Sequence, residues 1–265
     1  MNLTNKVAIV TGGGQGIGEG ICEILAKNGS TVIVTDINYN SAQNVENKIN
    51  SMNYKAISYQ LDVTKNEESL SISQKVFDQF GKIDILVNNA GIVAAPNWEN
   101  KQKLTEDDWN LTFQVNLRGL AKVTESVIPY MQNANYGKII NIASVAGRVG
   151  STFHPPYSST KAGVINYTQS MSTTLAKFNI NVNAICPGHV WTGLAHRTSM
   201  NQKISQDEKN STLRDVFENN IKTWVPLQRE QKPQDIGYLA AFLASDYSKN
   251  ITGQAINIDG GIYMN

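Results

Sequence analysis

Tyr157 and Lys161 stand four residues apart in a stretch with helical patterning, a spacing that places both side chains on one helix face. A phenol ordinarily ionises near pH ~10, too high for a base at neutrality. An adjacent ammonium would stabilise the phenolate and bring that value down, so the pair could pass a proton to or from an alcohol oxygen. A second chemistry-bearing stretch is Thr11-Gly12-Gly13-Gly14-Gln15-Gly16-Ile17-Gly18. Glycines between a strand and a helix let backbone approach a phosphate, and the helix N-terminus favours negative charge. The spacing is TGxxxGxG; no register gives GxGxxG, because Glu occupies position 19. Asp36 follows about 20 residues beyond the glycines, where an acidic side chain accepts from the ribose hydroxyls of a bound dinucleotide. It would repel a 2′-phosphate, and neither Gln15 nor Ile37 is basic, so NAD is expected over NADP.

The elements that must position these groups follow a βα rhythm. Short β-branched runs at 6–11, 31–36, 55–63, 83–88, 138–143, 180–186 and 255–258 read as strands buried on both faces. Helical patterns fill 17–28, 41–52, 67–80, 105–132, 157–177 and 233–244. The fold class predicted is α/β: a doubly wound, seven-stranded parallel sheet with helices on both faces, in a single domain spanning 1–265. Ligands are expected at the edge formed by the strand C-terminal ends. Residues 191–224 break the rhythm with Asn, Ser, Lys and Gln, and carry a helical pattern only around 212–222; they read as an insertion covering that edge.

The 265 residues carry 23 Lys+Arg against 22 Asp+Glu, a net charge of +1, with 17% charged and 41% hydrophobic residues. Without a basic block there is no footprint for nucleic acid or an anionic membrane. The first apolar run is too short to span a bilayer, so neither a signal peptide nor a membrane helix is expected. Cys22 and Cys186 read as buried thiols in a cytoplasmic protein. His154, His189 and His196 share no metal-ligand spacing, so no metal is expected.

With these motifs assembled, the chain resembles the short-chain dehydrogenase/reductase family from Lys6 to its end. The resemblance rests on the TGxxxGxG turn, Asp62-Val63, Asn88-Asn89-Ala90-Gly91, Asn116, Ser144, Tyr157-Ser158-Ser159-Thr160-Lys161 and Pro187-Gly188-His189-Val190-Trp191-Thr192. It implies a Rossmann fold and a hydride transfer between a secondary alcohol or ketone and nicotinamide. Tyr157 would be the general acid/base, Ser144 would hydrogen-bond the substrate oxygen, Lys161 would also bond the nicotinamide ribose, and Asn116 would hold a water linked to Lys161. The implied cofactor contacts are Gly12, Gln15, Gly16, Ile17 and Gly18 in the turn, Asp36 and Ile37 after the second strand, and Asp62 and Val63 at adenine. Asn89, Ala90 and Gly91 would lie by the adenosine ribose, with Pro187, Gly188, Val190 and Thr192 toward the nicotinamide carboxamide.

Substrate is expected between 145–156, 94–98 and the insertion. Trp98, Phe153, Trp191 and Leu194 would supply apolar walls, and Asn97, His154, His189, His196 and Arg197 polar groups, with His154, Trp191 and Arg197 favoured as substrate contacts. Asp36, the length and the short C-terminal tail resemble the family's NAD-dependent diol, polyol and sugar-alcohol dehydrogenases, which makes a small diol or polyol the expected substrate. The alternatives are a 3-oxoacyl thioester reductase, a hydroxysteroid dehydrogenase and, in a different class, a catalytically silent NAD-sensing regulator. The family also implies a homotetramer, built on the apolar last helix and the ending at 258–264.

Overall fold

Strands β1 (Val7–Thr11), β2 (Thr31–Asp36), β3 (Lys55–Gln60), β4 (Ile85–Asn88), β5 (Gly137–Ile142), β6 (Ile180–Pro187) and β7 (Ala255–Ile258) form one sheet in the order β3-β2-β1-β4-β5-β6-β7. Every neighbouring pair is parallel. The computed structural model describes residues 1–101, 103–150, 154–205 and 211–264. The Rossmann arrangement expected from the sequence is therefore present as a single domain.

The pleat sorts the strand residues into two cores. Ala8 and Val10 of β1, Ile85 and Val87 of β4 and Ile140 of β5 face helices α1 (Gly16–Lys27), α2 (Tyr39–Ser51) and α9 (Pro233–Ala244). Val7, Ile9, Leu86 and Ile139 face the opposite layer of α3 (Asn66–Phe80), α5 (Leu120–Ala134) and α6 (Pro155–Leu175). Nearly all these side chains are fully buried, the Val, Leu and Ile among them each worth about 1.5–3 kcal/mol of transfer free energy.

Helix α4 (Glu106–Phe113) runs into α5 through a π-helical turn, Gln114–Gly119. The long helix expected over 105–132 is thus one rod with an internal change of pitch. The segment 191–224 differs more from expectation. It holds two helices, α7 (Gly193–Ser205) and α8 (Leu213–Trp224), whereas periodicity signals only the second. Apolar residues of α7 form no stripe, and Ile204 is exposed. Leu194 and Ala195 of its first turn join apolar clusters, and beyond them the helix is held by polar contacts: Asn201 Nδ2 donates to the Glu99 carbonyl at 3.0 Å, and the amides of Gln202 and Asn220 exchange hydrogen bonds at 2.8 and 3.3 Å. Among the described residues, no helix is long and apolar enough to cross a membrane.

Helices α1 and α9 pack at glycine. A methyl group at Gly237 would lie 2.7 Å from the Gly20 carbonyl oxygen and 2.8 Å from Ile24 Cγ1. Gly237→Ala is expected to destabilise the protein by about 1–3 kcal/mol through overpacking. Urea denaturation checks this, and an unchanged midpoint would show that the helices can part without cost.

Candidate active site

The sheet order reverses between β1 and β4, so successive helices leave these two strands toward opposite faces and a crevice opens at their C-terminal tips. The glycine turn lies there. Gly12 and Gly16 have φ of 61° and 57°, backbone that side chains resist. Asn89 ties the turn down: its Nδ2 donates to the Thr11 and Gly12 carbonyls at 3.1 and 2.8 Å. The backbone N–H groups of Asn89 and Ala90 donate to Thr11 Oγ1 at 3.0 and 3.1 Å. The Asn89 amide therefore braces the turn from the loop that the resemblance places beside the adenosine ribose.

Helix α1 begins at this turn with no side-chain cap from Gln15, whereas α4 and α8 carry capping boxes from Thr105 and Thr212. An uncapped N-terminus at a switch point suits a phosphate. Asp36, nearly buried, accepts from Gly14 N at 3.1 Å and from Asn38 N at 3.0 Å. It fixes the glycine turn to the end of β2, with the Ile37 side chain exposed beside it. Asp62 Oδ1 accepts from Thr64, and buried Val63 packs on Gly119, where a methyl would approach Val63 Cγ2 to 2.8 Å.

Across the crevice, β5 delivers Ser144 and α6 delivers Tyr157 and Lys161. Ser144 accepts from Ala146 N at 3.1 Å, opening a short turn, and its hydroxyl stands beside the Tyr157 phenol, which it pulls down. Lys161 Nζ is buried, donates to the Ile142 carbonyl at 2.7 Å and lies 5.6 Å from the Tyr157 ring centroid. A methyl at Gly91 would sit 3.4 Å from both Lys161 Nζ and Asn116 Oδ1, so these groups converge on one strip of backbone. Asn116 is in the π-helical turn; its Oδ1 accepts from Ile92 N at 2.8 Å, and its Nδ2 donates to the Ile92 carbonyl at 2.8 Å and to Thr160 Oγ1 at 3.1 Å.

The electrostatics depart from the sequence expectation. Burial pushes the Tyr157 phenol up, opposed by the Ser144 hydroxyl. Burial also pushes Lys161 down to about 8. The shared helix face is as read, but the ammonium sits at the Ile142 carbonyl and does not bring the phenol down. Desolvation dominates both groups.

The third wall is the loop 188–192. Gly188 N donates to the Ile258 carbonyl at 3.0 Å and to Gln231 Oε1 at 3.1 Å, and Val190 pairs with Gln231 in a parallel bridge. Pro187, at the end of β6, pairs with Ile258. Thr192 faces the glycine turn, since a methyl at Gly16 would meet its Cγ2 at 3.2 Å. Gln15, Ile17 and Gly18 lie at the start of α1 in the same crevice.

Of the substrate residues read from sequence, His154 stands edge-on to Trp98 with ring centroids 4.7 Å apart. Buried Trp98 joins Leu104, Leu194 and Tyr157 in one apolar cluster. Trp191 packs instead with Phe217 at 4.9 Å and His196 at 5.0 Å. Burial beside Phe217 pushes the His189 imidazole down. Arg197 does not stand ready for a carboxylate: its Nε and Nη2 both bond Glu99 Oε2, at 3.1 and 2.7 Å, and hold that carboxyl below its usual range. Phe153 lies outside the described residues.

Sequence reasoning missed Gln231 and Asp108. Asp108, fully buried, accepts from Ala95 N, Lys101 Nζ and Thr105 and so folds the 95–105 wall; its capping-box spacing from Thr105 was a readable signal. Gln231 lies more than 40 residues along the chain from the backbone it supports, and nothing local marks it.

A family model described as short chain dehydrogenase matches residues 6–208. The chain is 35% identical over 264 residues to the 3-oxoacyl-[acyl-carrier-protein] reductase FabG of Thermotoga maritima, covering 100% of both chains. It is 34% identical over 265 residues to that of Escherichia coli, again covering 100% of both. Levodione reductase superposes with a TM-score of 0.88 at 26% identity, covering 97% of each chain. A single-residue variant of actinorhodin polyketide ketoreductase with NADPH does so with 0.88 at 30% identity, covering 99% of each. By sequence over its whole length and by fold, the chain belongs to the short chain dehydrogenase family of oxidoreductases.

Proposed function

We propose that the protein reduces ketones to secondary alcohols, reversibly, with NAD(H) as hydride carrier and 3-oxoacyl thioesters as its substrate class. The observation that carries the reaction is the grouping of Ser144, Tyr157 and Lys161 at the strand tips, facing an uncapped helix N-terminus across the crevice. The uncapped α1 turn fits a pyrophosphate and the Asp36 carboxylate fits ribose hydroxyls. The bound nicotinamide supplies or accepts the hydride.

The chain's own residues handle the proton and the geometry. Ser144 Oγ receives the Ala146 N–H, which leaves its own proton to face a carbonyl oxygen. Tyr157, held protonated by burial, donates as the ketone oxygen gains negative charge. Lys161 places a cation near the phenolate left behind, and its donors beyond the one on Ile142 serve ribose hydroxyls. Asn116, occupied by Ile92 and Thr160, keeps the helix and the 90–92 strip in register beside Lys161.

The names of the relatives support the 3-oxoacyl class over the diol or polyol expected from sequence. Two features of the site agree with them. Trp98, Leu104 and Leu194 line the flank of Tyr157 with apolar surface suited to an acyl chain, and the Arg197 cation is engaged by Glu99. A net charge of +1 gives an acidic carrier protein no long-range attraction to the chain as a whole. The NADPH of the polyketide ketoreductase supports the phosphorylated cofactor; Asp36 supports NAD, and the reading follows this chain's own residue. Helices α7 and α8 as the substrate cover, and a homotetrameric assembly, belong to the same proposal.

The test is turnover with short 3-oxoacyl thioesters, diols, sugar alcohols and hydroxysteroids, each with NAD and NADP cofactors. The 3-oxoacyl thioesters with NADH are expected to be fastest, and Tyr157→Phe is expected to lower kcat by about 10²–10⁴-fold while calorimetry still detects NAD binding. Faster turnover of a diol would return the substrate class to the sequence expectation. Ketone reduction should be constant at lower pH and fall through an inflection near pH 8, as Lys161, held at about 8, loses its charge. A profile flat to pH ~10, where a free phenol ionises, would remove Lys161 from the proton step. Asp36→Ala should raise the KM for NAD about tenfold, the loss of a hydrogen bond to a charged group, and shrink its advantage over NADP; an unaltered ratio would refute the ribose role.

A further inference from the structure

Arg148 lies four residues past Ser144, at the far end of the short 3₁₀ turn Val145–Gly147, and takes no part in the reaction described above. Its Nε donates to Asn257 Oδ1 at 3.1 Å and its Nη2 to the Ala255 carbonyl, both on β7 and more than 100 residues away. The guanidinium cation also lies near enough to the Cys186 thiol on β6 to pull it down against the effect of burial. On its other side the turn presses against α6: a methyl at Gly147 would come within 2.6 Å of the Lys161 carbonyl carbon. The turn that begins with Ser144 is therefore wedged between the helix bearing Tyr157 and Lys161 and the last strand of the sheet.

Two backbone bonds within the turn set its curvature. Gly147 N donates to the Ser144 carbonyl and Arg148 N to the Val145 carbonyl, each at 2.9 Å. These bonds fix curvature but not direction. Direction comes from the planar fork of Arg148, which engages two acceptors on one strand, a geometry that an ammonium on a flexible stem does not reproduce. Asn257 carries the connection onward, its Nδ2 donating to the Tyr263 carbonyl at 2.9 Å. Asp259 closes that tail by accepting from Gly261 N at 2.9 Å and Tyr263 N at 2.8 Å. The same strand also holds the opposite wall, through Gly188 N on the Ile258 carbonyl.

We infer that Arg148 is a positioning residue: it aims Ser144 at the Tyr157 phenol by pinning the intervening turn to β7, so that the segment from Ala255 to Tyr263 sets the geometry of the proton-handling pair. The inference rests on the Ser144–Tyr157 roles proposed above. The groups around the phenol are Ser144 from the turn, Lys161 from α6 and the Cys186 thiol from β6. Arg148 reaches the phenol only through the turn and that thiol.

The experiment compares wild type, Arg148→Met, Arg148→Lys and Asn257→Ala with a 3-oxoacyl thioester of N-acetylcysteamine and the corresponding alcohol. Arg148→Met is expected to lower kcat about ten- to a hundredfold, the scale of a small misplacement, with KM for thioester and NADH held within about twofold, a change small against that loss in kcat. The acid limb of alcohol oxidation, set by ionisation of the phenol, should move up by about one pH unit as the Ser144 hydroxyl ceases to lower it. Arg148→Lys should recover part of kcat, and Asn257→Ala should shift both readouts in the same direction but less. An unchanged kcat in a folded Arg148→Met protein overturns the inference. So does a lower kcat with an unmoved limb, or one that falls in step with NAD binding and thermal stability, because either marks a merely structural residue. If Arg148→Met does not fold, Asn257→Ala decides by the same criteria. If wild type turns over no ketone or alcohol, the proposed function fails separately. The positioning role is then read from the tyrosinate absorbance titration, with Tyr157→Phe as the blank: an upward shift in Arg148→Met supports it and no shift overturns it.

Discussion

The structure depends on how two strand tips are held where the sheet changes direction. Strands β1 and β4 lie side by side, and the helices that follow them depart to opposite faces, so the backbone at their ends has no helix above it. Thr11 and Asn89 close that exposed junction from within, with one hydroxyl accepting two N–H groups and one amide bonding two carbonyls. Each such bond nets only about 0.5–1.5 kcal/mol, yet a buried group left without its partner costs about 1–3 kcal/mol. The glycine turn can therefore be free of side chains and still be fixed, and Asp36 extends the bracing to β2.

The other half of the site is held by a polar ladder beneath it. Asn88 on β4 donates to Thr124 on α5 and to Asn141 on β5, and Asn141 donates to Thr168 on α6, each at 2.9 Å. These bonds are buried, so they favour one register of strands and helices over its neighbours. Apolar packing alone would tolerate small slides between helix and sheet. The ladder fixes α6 along its length, and thus sets where Tyr157 and Lys161 emerge relative to β5 and Ser144.

What could be read from sequence was what is encoded locally. The strands, the glycine turn, Asp36 at the end of β2 and the shared face of Tyr157 and Lys161 all follow from period and short spacing, and the structure has each of them. Quantities decided by distant partners were not legible. Arg197 looked available because Glu99 lies 98 residues away. The bracing role of the Asn89 amide could not be read because its carbonyl partners lie 78 and 77 residues earlier. Helix α7 showed no stripe because polar contacts to 99 and 220 hold it, and periodicity cannot report those. The balance between burial and charge at Tyr157 likewise depends on the whole surroundings of the ring.

The π-helical turn at Gln114–Gly119 has a consequence for which faces the two helices it joins present. A turn of that kind contains one residue more than an α-helical turn, and it is the extra residue that lets α4 cap the 95–105 loop through Asp108 while α5 lays Val123, Val127 and Met131 on the sheet. Winding the same residues at regular pitch would rotate everything downstream by about 100°, lifting that apolar row toward solvent and carrying Asn116 off Ile92. The turn thus holds one residue that a regular helix joining the same two faces would have no room for, and its local irregularity is a condition of the packing on either side.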